Sequence, residues 1–234
     1  MVASGDKKLE ILYQDNHLVA INKPNGLLVH RSRIAARETI FAMQLLRNQL
    51  GQHVFPLHRL DRKTSGVLLF ALNKEMAAAI QPEIVEHRFK KTYLAIVRGY
   101  FPDAITVDYP LTNDRNKKQE AITRFETLKK TEIDLPFGKH ATSRYSLIKA
   151  YPQTGRQHQI RKHCKHLKHP IIGDRPYGCN KQNKLFLEKW DMMTTMLHAS
   201  VLTFHHPALE TEITIQAEVN EEFKRMQETL SLLI

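Results

Sequence analysis

Apolar residues fall along this chain mainly in short runs rather than in long helical stripes. Val67 to Leu72 is the longest uninterrupted run, and its length and lack of polar interruption predict a strand buried on both faces. Ile11-Leu12-Tyr13 and Leu18 to Ile21 read as short strands, with Gln14-Asp15-Asn16-His17 as the turn between them. Lys23-Pro24-Asn25-Gly26 breaks regular structure, and Leu27 to His30 resumes it. Further strands are predicted at 91–97 (closed by Gly99), 105–109, 121–128, 142–150, 197–204 and 212–215. Helical spacing appears at 38–50 with Gly51 at its end, at 74–88, at 156–167 and at 219–230. Pro82 interrupts the second of these, either kinking it or opening a new first turn. Strands outnumber helices and short turns join several of them, so antiparallel pairing is expected. Two basic polar stretches, 112–118 and 129–140, read as loops that lie on RNA or are simply solvated.

The chain has 234 residues, 42% of them hydrophobic, enough for one large domain or two modest ones. Lys plus Arg number 35 against 24 Asp plus Glu, a net charge of +11. Such an excess favours contacts with phosphates through counterion release, although a merely basic soluble protein has the same composition. Cys164 and Cys179 are the only cysteines and neither belongs to a CxxC pair, so no disulfide framework or Cys-rich zinc site is indicated. The polar, charged start of the chain has no secretory character, and no apolar run approaches the length of a membrane span. A cytoplasmic, reducing setting is expected. No Walker-type or dinucleotide-type glycine loop occurs, which disfavours nucleotide-cofactor chemistry.

Three segments have the residue types for chemistry. In His58-Arg59-Leu60-Asp61-Arg62-Lys63-Thr64-Ser65-Gly66, a carboxylate sits between two arginines immediately before the buried run. Asp61 caps a turn there, or it is an ionised, rigidly held reactive acid. In Lys91-Thr92-Tyr93-Leu94-Ala95, Tyr93 is a core tyrosine, or a ring that stacks on a base and a hydroxyl that moves a proton. The third segment, 154–170, is rich in Arg, Lys, His and Gln. As a helix it groups Gln157, Arg161 and Lys165 on one face and Ile160, Cys164 and Leu167 on another. It is a basic face turned to RNA or a solvated one. His163, His166 and His169 invite a metal reading, but the neighbouring lysines repel a cation and Pro170 places His169 at or beyond the helix end. Ser65 lacks the elbow motif of a nucleophilic serine.

Taken together, these segments resemble the ribosomal-large-subunit synthase A (RluA-like) family of pseudouridine synthases. The pattern His-Arg-Leu-Asp-x-x-Thr-Ser-Gly is met at 58–66, Asn-Lys-Pro-x-Gly-x-x-Val-His at 22–30 and Lys-x-Tyr-x-Ala at 91–95. Thr-Gly-Arg-x-His-Gln-Ile-Arg-x-His is met at 154–163 and His-Pro-Ile-x-Gly-Asp at 169–174, with Leu-His-Ala at 197–199 and His-Pro at 206–207. Residues 28–32, 51–55 and 142–145 are similar to a subgroup that acts on tRNA.

The resemblance implies an α+β pseudouridine synthase fold: a mixed, largely antiparallel eight-stranded sheet in two halves, flanking helices and a central cleft. It implies a lead-in over 1–8 and a catalytic domain over 9–234, with no S4 RNA-binding domain. It implies isomerisation of a flipped uridine, at position 65 of tRNA, with no cofactor and no metal, by a monomer whose partner is RNA and not a membrane. Asp61 is then the essential carboxylate, Arg161 its cationic partner, and Tyr93 the residue that stacks on the base and helps remove the C5 proton. Arg59 fills the space that the base vacates, Ile160 contacts the ring, and Lys23 supports the loop. The alternatives are a ribosomal RNA synthase of the same family and a non-catalytic RNA-binding protein. A metal-dependent nuclease would need clustered carboxylates.

Overall fold

The computed structural model describes residues 8–30 and 39–234, so most of the expected lead-in, the predicted helix start at Glu38 and the motif residues Arg31 and Ser32 lie outside the described residues. The chain forms two compact units, one from residues 1–89 and 200–218, the other from 90–199 and 219–234.

In the first unit, β1 (Ile11–Gln14) and β2 (Leu18–Lys23) pair antiparallel across the expected turn. The Asp15 carboxylate fixes that turn by accepting the backbone N–H groups of His17 and Leu18, each at 2.6 Å. β2 pairs antiparallel with β4 (Ser65–Ala71), from Leu18 opposite Ala71 to Lys23 opposite Gly66. Every residue of β4 is buried, as its unbroken apolar run predicts. Gly66, the second residue of the strand, has φ +110°, a conformation that disfavours side chains. The short β3 (Phe55–Pro56) pairs with β4, β11 (Leu197–His206) lies beside β4, and β12 (Thr211–Gln216) pairs antiparallel with β11. α1 covers Ala42–Leu50 and ends at Gly51. Pro82 does open a new first turn: α2 (Lys74–Ala79) stops and α3 (Gln81–Val85) begins with the proline in its first turn. The core of this unit includes Leu18, Ala20, Val67, Leu69, Phe204 and Ile215.

In the second unit, β5 (Lys90–Arg98), β10 (Ser143–Pro152), β9 (Ile122–Ile133) and β6 (Ala104–Asp108) lie in that spatial order, each pair antiparallel. Their core includes Ile96, Phe101, Phe125, Tyr145, Leu147, Phe186 and Phe223. Each unit thus has a four-strand path, and β3 and β12 take the total beyond the expected eight. Neither polar stretch is wholly loop. β9 runs on to Ile133, and β7 (Leu111–Thr112) pairs with β8 (Lys118–Gln119) as a hairpin. α4 spans Gln159–His166, α5 spans Asn180–Trp190 and α6 spans Glu221–Thr229. No helix among the described residues is long and apolar enough to cross a membrane.

A buried polar network seats α4 on β9. Gln159 Oε1 accepts the Thr154 hydroxyl at 2.7 Å and the Arg156 N–H at 3.0 Å, while its amide donates to the Ile122 carbonyl at 2.9 Å and the Thr123 hydroxyl at 3.0 Å. His163 Nδ1 lies 2.9 Å from that same hydroxyl, and its Nε2 lies 3.1 Å from the Tyr109 carbonyl oxygen. Burial pushes the His163 pKa down, so the ring is neutral, with Nε2–H donating to the carbonyl and Nδ1 accepting from Thr123. Because every polar atom of Gln159 is used inside the fold, Gln159→Leu should destabilise the protein by about 2–4 kcal/mol. Equilibrium urea unfolding checks this, and a loss below about 1 kcal/mol contradicts it.

Candidate active site

The Asp61 loop is held from below by a buried ammonium. Lys23, at the end of β2, has no exposed surface. Its Nζ donates to the carbonyls of Pro24 at 2.8 Å, Leu27 at 2.9 Å and Arg62 at 3.2 Å, three acceptors for three N–H groups. Two more bonds tie the same two turns together: the Gly26 N–H donates to the Arg62 carbonyl at 2.9 Å, and Arg62 Nε donates to the Gly26 carbonyl at 3.0 Å. The Thr64 N–H closes the 61–64 turn onto the main-chain oxygen of Asp61 at 3.0 Å. That bond uses the Asp61 backbone oxygen. His58 Nε2 accepts the Leu69 N–H at 3.1 Å, which anchors the loop's other end to β4. Asp61 is half-buried and Arg59 exposed. Burial lowers the Lys23 pKa to about 7, and the negative charge of Asp61 opposes that shift.

Tyr93, Ile160 and Arg161 belong to the second unit. Tyr93 lies on β5 opposite Ala150 and is partly buried against the core. Ile160 and Cys164 turn into the core from α4, and Gln157 precedes the helix rather than sharing its face with Arg161. Arg161 makes a two-pronged ion pair with Asp174, Nε to Oδ2 at 2.8 Å and Nη2 to Oδ1 at 2.9 Å. Both partners are nearly buried, with side-chain exposures of 11% and 1%. Asp174 also accepts the Tyr177 N–H at 3.2 Å, and Asn183 braces the loop by donating to the Asp174 carbonyl at 2.8 Å and accepting the Gly173 N–H at 3.0 Å. Gly173 sits at φ +78°, and a Cβ there would lie 1.8 Å from the Thr194 carbonyl oxygen, so only glycine fits. The guanidinium carbon of Arg161 lies 5.1 Å from the Tyr177 ring centroid. The expected pairing of Arg161 with Asp61 joins residues of different units and is taken up under the proposed function.

Asp174 is a functional-site residue to which the sequence pattern assigns no role. Its signal was present: it ends the motif at 169–174 and is acidic in a strongly basic stretch. The three histidines that invited a metal reading go to separate partners. His163 joins the α4 network, His166 stacks on Tyr109 at 3.8 Å between centroids, and His169 Nδ1 lies 2.8 Å from the Arg98 carbonyl oxygen.

The buried ammonium has a measurable signature. An unfolded lysine titrates near about 10.4. Between about pH 7 and about pH 10 the unfolded chain therefore holds a proton that folded Lys23 has released. Stability gains from Lys23 as pH rises through that window, and Lys23 adds no slope below it. Lys23→Met should flatten this rise relative to wild type. Urea unfolding at a series of pH values checks it, and equal slopes in the two proteins would refute it.

Residues 17–166 match the family model described as RNA pseudouridylate synthase. A tRNA pseudouridine synthase C from Haemophilus ducreyi is 49% identical over 229 residues, covering 94% of each chain. One of the same name from Vibrio cholerae is 48% identical over 224 residues, covering 91% of this chain and 92% of that one. Among solved structures, human RNA pseudouridylate synthase domain containing 4 superposes with a TM-score of 0.73 at 28% identity, covering 96% of this chain and 94% of that one. With the site motifs in place and most of the chain aligned to such relatives, the chain belongs to the RNA pseudouridylate synthase family.

Proposed function

We propose that this protein converts uridine to pseudouridine in tRNA, at position 65, as a cytoplasmic monomer that needs no cofactor. The observation that carries this reading is the Asp61 loop, fixed to a neighbouring turn by the fully buried Lys23 and carrying one carboxylate among cations in a chain of this family. The relatives named above act on tRNA by their names, and their similarity runs through nearly the whole chain.

The reaction breaks the bond between N1 of uracil and C1′ of the ribose, turns the base and joins C5 to C1′. No electrons are gained or lost. The base must leave its stack to react, and exposed Arg59, long and cationic, takes the vacated space. Asp61 acts as the ionised carboxylate, attacking C1′, adding to the base or taking a ribose proton. Tyr93 stacks on the base and assists removal of the C5 proton, directly or through water. Ile160 gives the ring an apolar contact. Arg161, its side chain already oriented by Asp174, supplies the guanidinium that keeps the reacting carboxylate ionised.

Tritium release from tRNA carrying 5-tritiated uridine tests the reading. Wild type should release tritium. Asp61→Asn should release none while binding tRNA within about threefold of wild type, because the change removes a charge and not an RNA contact. An active Asn variant overturns the role of Asp61. Release only from ribosomal RNA points to the related ribosomal activity, and release from neither RNA points to a binding protein. A second expectation concerns Arg161→Met, which should lose at least about a hundredfold in kcat, the loss typical when a preorganised charge is removed, while remaining folded by circular dichroism. Mapping pseudouridine in the product tRNA checks the position.

A further inference from the structure

The second unit holds a cleft of about 190 Å³, lined by Arg98, Phe137, His140, Ser143, Arg144 and Gln182 among others. It is smaller than a typical pocket for a drug-sized ligand but has room for several waters, and so for one ring or one phosphate group. Arg98 ends β5, five residues beyond Tyr93, about 17 Å along the strand. The cleft is therefore set apart from Tyr93.

Two features of its lining are chemically incomplete. The guanidinium of Arg98 lies over the Phe137 ring at 4.9 Å, and among the described residues it has no carboxylate partner. Arg144 differs: Glu132 takes it at 3.2 Å, and Glu132, which also accepts from Thr142 and Tyr100, is itself held down at about 2. The second feature is Gln182, only 1% exposed. Its amide donates to the Tyr145 hydroxyl at 2.8 Å, but Oε1 is buried and accepts nothing among the described residues. Buried acceptors are rarely left so. The cleft is thus lined by a cation held flat by an aromatic ring and by the residue whose amide oxygen lacks a partner. A nucleotide carries both complements: phosphate or carbonyl oxygen for the guanidinium, and an imino, amino or hydroxyl group for the amide oxygen. The residues around it, 142–145, also carry the likeness to the tRNA-acting subgroup.

We propose that this cleft binds one nucleotide of the RNA substrate, other than the one isomerised, and so contributes to choosing the RNA. The proposal rests on the reading above that the substrate is RNA. Its test is equilibrium binding rather than turnover, so that the two can fail separately: tritium release by wild type judges the activity, and the following judges the cleft. Arg98→Met should weaken tRNA binding by roughly tenfold, the cost of one charge-assisted contact. It should also lower the slope of log Kd against log salt by about one, the signature of one lost phosphate contact. Arg98→Lys should keep the slope and lose part of the affinity. Gln182→Met should weaken binding a few-fold with the slope unchanged, provided its thermal melt matches wild type; if that variant unfolds, the two Arg98 variants decide. Wild-type Kd and slope in Arg98→Met would overturn the proposal.

Discussion

The loop that carries Asp61 is only as rigid as the ammonium beneath it. Lys23 is fully buried, and such a group is costly unless each of its N–H groups is paired. Here three carbonyl oxygens meet it, two from its own turn and one from Arg62, the residue after Asp61. The bonds thus run between two turns that are far apart in sequence. A neutral side chain of similar length would fill the space but leave those carbonyls unmet, and the loop would lose the contact that sets its height above β4. The nearby Asp61 carboxylate offsets part of the desolvation of Lys23.

The same logic recurs around Arg161. A buried ion pair adds little net stability, because desolvating both partners consumes most of the attraction. What the two-pronged geometry gives is direction. Asp174 grips Nε and Nη2, which fixes the plane of the guanidinium. Asp174 is in turn located by Tyr177 and Asn183, and the helix bearing Arg161 by Gln159 and His163. A guanidinium with this much support has little side-chain freedom left to lose.

Much of this was legible in the sequence, and the remainder was hidden for physical reasons. β4 was plain because a strand buried on both faces needs no alternation. The break at Pro82 was plain because proline lacks an N–H. α5 was not anticipated: Asn180 to Trp190 is mostly polar, Cys179 provides no side-chain cap, and only Gln182 and Phe186 are buried. The hairpin of β7 and β8 is invisible in the sequence pattern because two-residue strands leave no periodicity. α4 begins later than its pattern indicated because His158, at φ +57°, lies in the left-handed region. For the candidate site, motifs single out Asp61, Tyr93 and Arg161, but a motif names residue types and not partners. That Asp174 serves Arg161, and that Lys23 serves Arg62, depends on contacts thirteen and thirty-nine residues apart in sequence.

The histidines show why motif residues and chemical residues differ. His58 accepts a strand N–H, His169 meets a carbonyl, and His206 accepts the N–H groups of Ala208 and Leu209 through Nδ1 while its Nε2 lies 3.0 Å from Asp15. His163 does the same for α4. An imidazole offers a donor and an acceptor about one ring apart, which suits it to tying off main-chain groups that turns leave unpaired. In this chain that duty accounts for four of the motif histidines. Imidazoles engaged with main-chain groups stand outside the proposed chemistry, which falls instead to the charged side chains of Asp61, Arg161 and Arg98.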